Sequence, residues 1–509
     1  MTVTTTIQQH DPGETMIPVA PHGVTTLRRH AFVAIPAGLA LRLLLLLQFP
    51  IAPDDGKMYL QLARNWADHH VYGLWLGGHL VPSDLRMPGY PAFLAAVGMV
   101  LGRSALAISL SQAVVDLCTC FLTALLAVAL APQRARTRVA VAALWLAATC
   151  PFVANYAATV LTEVPVTFLA TAALICFVQA VSRDSTSVPI GRRTYRLRAP
   201  ILAATGGLLT GLATLMRPEM PLLLAVAGVM FALRWWKSWE LRHLVLSSIA
   251  VIGAFLLPLA PWAVRNYVTL HEVQILSPRY VTLPGEYAPV GYYAWTNTWL
   301  ERYRDVYTNT WALSESRMSV ADLPANAFDS SSERDRVAAL FEQYNENPGL
   351  DISPAMDGQF AEIARERTRR NPMRTYVRVP FQRALTIWFT PRTELLPIDG
   401  KLWPLGEYWN DSPGGWLTTA LFGLLGYLYI SLALAGVWHA WRINNSAPED
   451  SRQASNFWGI GMILAYLVVR TAFLTTVEAP EPRYVVSCFP AVLALAALLW
   501  ARTPKPAKA

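Results

Sequence analysis

AFVAIPAGLALRLLLLLQFPIA, residues 31–52, runs directly into Pro53-Asp54-Asp55. About twenty apolar residues cover some 30 Å of hydrocarbon at about 1.5 Å per residue, so the stretch reads as a membrane span that delivers two carboxylates to the interface. A soluble core helix is rarely apolar around its whole circumference. The single charge inside the stretch, Arg42, costs at least about 2.5 kcal/mol near the bilayer centre and therefore needs a partner. Asp116 is expected at nearly the same depth in the next span, which predicts an Arg42–Asp116 ion pair joining the two.

The same pattern recurs along the chain. Apolar blocks lie at about 31–52, 107–131, 139–161, 164–182, 200–216, 219–236, 244–264, 415–441, 457–475 and 484–501, about ten spans in all. The composition agrees: 54% hydrophobic and 15% charged, where soluble chains carry about a quarter charged residues. The net charge of +8 comes from Arg and Lys lying mostly between apolar blocks, the arrangement of cytoplasmic loops rather than of a nucleic-acid surface. Cys118, Cys120, Cys150, Cys176 and Cys488 all fall inside apolar blocks, without the spacing of a disulfide framework or a zinc site, and read as packing residues.

Loop charges fix the expected topology. The stretch Gly89 to Gly102 is apolar but too short to cross, and reads as a helix lying on the outer face. With that stretch left out of the count, Arg28-Arg29, the Arg134 group, the Arg183 to Arg198 run, Lys237 with Arg242, Arg442 with Arg452, and the Arg502 tail all fall on one side. Both termini are then cytoplasmic. Residues 1–30 read as a disordered cytoplasmic tail, and the block after them is too long for a signal peptide and lacks a small-residue cleavage site. Residues 31–266 form an N-terminal transmembrane module with a first outer loop at 53–106, residues 267–413 an extracytoplasmic domain, 414–501 the last helices and 502–509 a short tail. Within the insertion, Ser332 to Asn347, Asp357 to Arg370 and Tyr376 to Phe389 read as helices, the first two ended by Pro348 and Pro372. No internal repeat is evident.

Chemistry concentrates on the outer side. Asp54-Asp55 open a short helix running through Asp68, where two carboxylates also suit a helix start. Tyr59, Tyr72 and Gly73 follow, then Arg86-Met87-Pro88-Gly89-Tyr90-Pro91, Thr162-Glu163, Arg217-Pro218, Trp262 with Arg265-Asn266, and Glu481-Pro482-Arg483-Tyr484. Arg470 lies within a span and reads as lining a cavity. Tyr287, Tyr292, Tyr293, Trp295, Trp299, Tyr303, Tyr307 and Trp311 crowd one stretch, in which rings could stack on sugars, fill a core or sit at the interface. His69, His70 and His79 lie near the acidic loop, in a spacing that matches no strong metal motif.

This ordered set, from about residue 31 to 501, resembles the GT-C superfamily of membrane glycosyltransferases, in the branch containing aminoarabinose transferase and the protein O-mannosyltransferases. The resemblance implies an all-α polytopic membrane protein of GT-C fold: about ten transmembrane helices, outer-face juxtamembrane helices and an extracytoplasmic mixed domain, in the cytoplasmic membrane of a bacterium. It implies transfer of a sugar from a polyprenyl-phosphate carrier to a hydroxyl or amine of a glycan, lipid or protein acceptor, with inversion. Asp54 would be the general base, Asp55 would orient the site, and Glu163 would be a second outer-loop acid. Arg86 would meet the carrier phosphate, with Arg483, Arg217 and Arg265 as further phosphate-binding candidates. Tyr59, Tyr90, Tyr484 and Arg470 would line the cavity. No cofactor is required on this reading, and some relatives bind a divalent cation near the first loop.

The chemistry is consistent with those roles. A polyprenyl phosphate is already a competent leaving group, so the protein must chiefly supply positive charge where phosphate charge develops, for which the guanidinium fork is suited. The acceptor needs its proton removed as it attacks, and a positioned carboxylate contributes about 10²–10⁴-fold. A lipid or solute transporter is the alternative class. It would show inverted repeats and broken mid-membrane helices, and would give no special role to an outer-loop acid.

Overall fold

The computed structural model describes residues 21–48, 53–181, 187–190, 193–196, 199–236, 241–280, 282, 286–446 and 456–501. The chain begins with α1 (Pro21–Gln48), followed by α2 (Asp54–His69), a hairpin of β1 (Gly73–Leu76) with β2 (His79–Pro82), and α3 (Gly89–Val100). Next come α4 (Ala105–Leu130), α5 (Arg136–Ala148), the short α6 (Pro151–Ala154) and α7 (Glu163–Val181). A second hairpin, β3 (Ser187–Ile190) with β4 (Arg193–Arg196), precedes α8 (Ala199–Thr214), α9 (Pro221–Trp236) and α10 (Leu241–Leu270). The long insertion carries α11 (Val290–Thr296), α12 (Tyr303–Val306), α13 (Ser331–Glu346), α14 (Pro354–Arg370), α15 (Val379–Phe389) and α16 (Leu405–Asp411). The chain then returns through α17 (Pro413–Ser446), α18 (Phe457–Leu474) and α19 (Phe489–Ala497).

Among the described residues, seven helical runs are long and apolar enough to cross a membrane: within α1, α4, α7, α10, α17 and α18, and the run Pro482–Trp500 that contains α19. Gln133–Ala148 and Pro151–Ala158 form a pair bent by 47°, an eighth crossing if they act as one span. The expected count of about ten is therefore reduced. The blocks near 200–216 and 219–236 form α8 and α9, of 16 residues each. At about 24 Å each they fall short of about 30 Å of hydrocarbon. Pro218 and Pro221, with Arg217 and Glu219 between the two helices, interrupt what reads in sequence as nearly continuous apolar chain. The amino-terminal boundary also shifts: α1 starts at Pro21, so residues 21–30 are helical rather than part of a disordered tail. Residues 1–20 and 502–509, and parts of the basic loops used for topology, lie outside the described residues.

The ion pair expected from depth matching is present. Arg42 Nε donates to Asp116 Oδ2 at 2.7 Å, and Nη1 donates to the carbonyls of Gly38 and Ala148 at 2.8 and 2.9 Å. Both side chains are almost fully buried, so one guanidinium ties α1 to α4 and α5. Elsewhere the helices meet backbone to backbone. A Cβ built on Gly436 of α17 would stand 2.0 Å from the Leu495 carbonyl of α19, a contact only glycine permits.

Residues of the insertion bury an aromatic core of their own around Tyr292, Trp295, Trp299, Phe341 and Phe360. Helices α13 and α14 form close to their expected positions. Ser330 accepts from the Glu333 N–H and Ser353 from the Met356 N–H, the capping that starts both helices. Buried Arg383 of α15 donates to the carbonyls of Leu300, Thr475 and Val477, fastening the insertion to the end of α18. The first loop packs through Leu62, Tyr72, Leu74, Leu85 and Met87 onto Leu259 and Trp262 of α10.

Candidate active site

Helix α2 begins with Asp54 and Asp55 in its first turn, where the positive end of the peptide dipoles favours carboxylates. Consecutive helical side chains diverge by about 100°, so the two acids cannot share an environment. Asp54 turns outward: its side chain is 96% exposed and pairs with Lys57 Nζ at 2.8 Å. Asp55 turns inward. Arg86 Nη2 reaches Asp55 Oδ1 at 2.6 Å, and Arg483 Nη2 reaches Oδ2 at 3.1 Å, across 428 positions of sequence.

Each arginine is placed by its own local structure. The turn carrying Arg86 is held by the Tyr72 hydroxyl, which donates to the Arg86 carbonyl at 2.9 Å, and by the Gly89 N–H, which donates to the Leu215 carbonyl at 2.7 Å. A Cβ at Gly89 would lie 2.6 Å from that carbonyl, so glycine is what lets the turn sit on the end of α8. The Arg86 guanidinium lies 5.9 Å from the ring of Tyr59, which packs edge-on against buried Tyr90 at 5.1 Å. The Tyr90 hydroxyl donates to Gln112 at 2.8 Å. Arg483 lies in the first turn after Glu481-Pro482, with Nε 2.5 Å from Glu481 Oε2, and the Tyr484 hydroxyl donates to Glu481 Oε1 at 2.6 Å.

A second run of alternating charges meets the first at Tyr484. Glu163 Oε1 lies 3.1 Å from Arg217 Nη1, Arg217 Nε lies 2.8 Å from Glu219 Oε1, and Arg470 Nη2 lies 3.3 Å from the same Glu219 oxygen. The Arg217 guanidinium stands 4.9 Å from the Tyr484 ring, and Arg470 donates to the Tyr484 carbonyl at 3.0 Å. Among the described residues, the buried Arg86 Nε, Arg470 Nε and Glu163 Oε2 atoms have no hydrogen-bond partner. Unsatisfied polar atoms are costly in a folded interior.

The site thus gathers Asp55, Glu163, Arg86, Arg217, Arg470, Arg483, Tyr59, Tyr90 and Tyr484 from the expected set. Arg265 has another task. It donates to the carbonyls of Ser83 and Tyr72 at 2.9 and 2.6 Å and stacks over Tyr72 and Trp262, so it holds the first loop in shape. Two acids went unassigned in the sequence. Glu219 follows Arg217-Pro218 directly and could have been taken with it. Glu394 accepts from the Tyr156 hydroxyl at 2.7 Å, and its partner is 238 positions away, so no local pattern announces it.

Electrostatics divide these acids. Burial opposes ionisation of Asp55, yet Arg86 and then Arg483 together hold its carboxyl below the usual carboxylate range. Glu481 goes the other way: burial raises it despite the pull of Arg483. Glu394 is likewise raised by burial. Burial also lifts the Tyr59 hydroxyl to about 12, so it remains a donor at neutral pH. Among the described residues no three His, Cys, Asp or Glu side chains converge to hold a metal ion. His69 packs edge-on against Trp75, and both Asp55 oxygens pair with arginines.

No family model matches the sequence, and no curated protein matches it. Among solved structures, the chain is similar to the Archaeoglobus fulgidus oligosaccharyltransferase in a complex with Zn and sulfate, at 14% identity over 92% of this chain and 48% of that one, with a TM-score of 0.46. A second structure of that enzyme, tethered to an acceptor peptide containing the NVT sequon, aligns at 14% identity over 94% and 49% with a TM-score of 0.45. ArnT from Cupriavidus metallidurans bound to undecaprenyl phosphate aligns at 15% identity over 90% and 78% with a TM-score of 0.35. This chain spans about half the length of the archaeal oligosaccharyltransferase.

Proposed function

We propose that the chain is a GT-C-type glycosyltransferase that moves a sugar from a polyprenyl-phosphate carrier to an acceptor hydroxyl or amine at the extracytoplasmic face of the membrane. The observation that carries the reading is Asp55 held between Arg86 and Arg483, at a place where buried donor and acceptor atoms remain unsatisfied. This is a carboxylate and two phosphate-seeking forks with vacant bonding capacity.

The sequence resemblance gives the base role to Asp54; the geometry favours Asp55, the acid that turns inward. In the free protein Asp55 is a weak base, because two arginines stabilise its ionised form. A carrier phosphate engaging Arg86 and Arg483 competes for those same N–H groups, and as they turn to the phosphate the carboxylate regains basicity. Donor binding thereby readies the base. The acceptor oxygen or nitrogen then attacks the anomeric carbon, the bond from that carbon to the phosphate oxygen breaks, and polyprenyl phosphate departs with its electron pair. The acceptor proton passes to Asp55. A single displacement inverts the anomeric centre. Arg217 and Arg470, with Glu163 and Glu219, hold Tyr484 and the Arg483 turn against this centre.

Mass spectrometry of lipids retained by the purified protein tests the donor class. Polyprenyl phosphate or its glycosylated form is expected with the wild type and lost with R86A and R483A. The reading fails if added polyprenyl-phosphate sugar is neither bound nor consumed by the wild type.

A further inference from the structure

The structure divides the eight crowded aromatic residues of the insertion. Tyr292, Trp295 and Trp299 are core, with at most 1% of each exposed. Tyr303, Tyr307 and Trp311 are different. They form a corner in which the Tyr307 and Trp311 rings lie 4.4 Å apart at 78°, the Tyr303 and Trp311 rings 5.9 Å apart at 85°, and the Tyr303 and Tyr307 hydroxyls 3.0 Å apart. Rings that contact one another edge to face leave other faces free. Tyr307 is 46% exposed and Trp311 37%, costly for large rings unless something covers them. The segment Tyr307–Trp311 is a single π-turn, a local geometry often found at functional sites.

The Arg383 side chain brings the chain leading into this corner close to the chain leading into the charged centre. Arg383 donates both to the Leu300 carbonyl, just before Tyr303, and to the Val477 carbonyl, just before Glu481. Ala479 packs against the aromatic core of the insertion. Burial and then the charge of Glu481 raise the Tyr303 hydroxyl, and burial raises that of Tyr307.

We infer that Tyr303, Tyr307 and Trp311 form a carbohydrate-binding wall, on which an apolar face of a sugar ring stacks. Aromatic faces supply large contact area at small entropic cost. The inference rests on the glycosyltransferase reading and names that site's sugar-facing wall. The sugar belongs to either the donor or the acceptor.

Saturation-transfer NMR of the full chain in detergent, with a panel of hexose and pentose methyl glycosides, tests it. Ring-proton saturation is expected for at least one glycoside with the wild type and with D55N, and at least a tenfold loss with W311A and Y307A. Trp311→Phe and Tyr307→Phe should restore most of the signal, which separates ring loss from misfolding. Displacement by glycosylated but not by bare polyprenyl phosphate assigns the wall to the donor sugar; persistence assigns it to the acceptor. Equal signal in wild type and W311A, or none with any glycoside, overturns the wall. Undiminished sugar transfer by D55N overturns the catalytic reading instead and leaves the binding result standing.

Discussion

Replacing Asp55 with asparagine, beside the same change at Asp54, separates the two adjacent carboxylates more sharply than any other perturbation. A positioned general base contributes about 10²–10⁴-fold, equivalent to roughly 2.7–5.5 kcal/mol of barrier, so D55N should lose that much of its turnover. The pairs it weakens are partly screened, with side-chain exposures of 29% for Asp55, 21% for Arg86 and 19% for Arg483. Arg483 retains Glu481, so the fold should lose only about 1 kcal/mol. Removing the negative charge also frees both arginines for the carrier phosphate. Donor KM should therefore fall while kcat falls, the pattern of a lost ground-state competitor. Asp54, 96% exposed and paired only with Lys57 among the described residues, should give a near-wild-type D54N. The assay is single-turnover transfer from a labelled polyprenyl-phosphate sugar, with donor binding measured separately. Normal turnover in D55N, or an inactive but folded D54N, refutes the assignment. A pH series gives a second reading. The Asp55 carboxyl lies below its ordinary value, so the stabilisation from its ion pairs is fully present above about pH 3.9 and is lost as pH falls through the lower folded value. R483Q should raise that value and move the acid limb of the pH–rate profile upward.

Two structural predictions follow from the helix bundle. Asp116→Ala should leave Arg42 buried and uncompensated, a loss of about 3–5 kcal/mol in detergent-titrated unfolding, whereas R42M with D116L together should lie within about 1–2 kcal/mol of wild type; equal cost for single and double changes would argue against the pair. Gly436→Ala places a methyl about where the Leu495 carbonyl stands, so α17 and α19 must separate, and the melting temperature should drop by several degrees; an unchanged melt would mean that the helices are not in backbone contact.

Much was legible in the sequence because the bilayer acts as a severe solvent. Apolar length reports membrane burial, although it overcounted crossings at α8 and α9, and a charge in mid-span demands a partner at equal depth; that reasoning paired Arg42 with Asp116 without coordinates. Order along the chain also marked these loop residues, and Arg86, Arg483, Glu163 and Arg217 are where the charged centre forms. Local sequence could not fix which of two adjacent acids faces that centre. The choice depends on the rotation of α2 about its axis, set by Leu62 and Ala63 packing into the loop core and by Gly56 lying against the Val160 carbonyl. It could not divide the aromatic run into buried core and open corner either, because identical ring types serve both, and burial depends on how α11 meets α14. Glu394 was silent for the same reason: its meaning comes from Tyr156, brought to it only by the folded bundle. Sequence determined what must be inside the membrane and which charges must be satisfied, since those energies depend on composition and depth. Tertiary structure alone decided which charges face one another around Asp55, since side-chain direction is a property of packed helices and not of residue order.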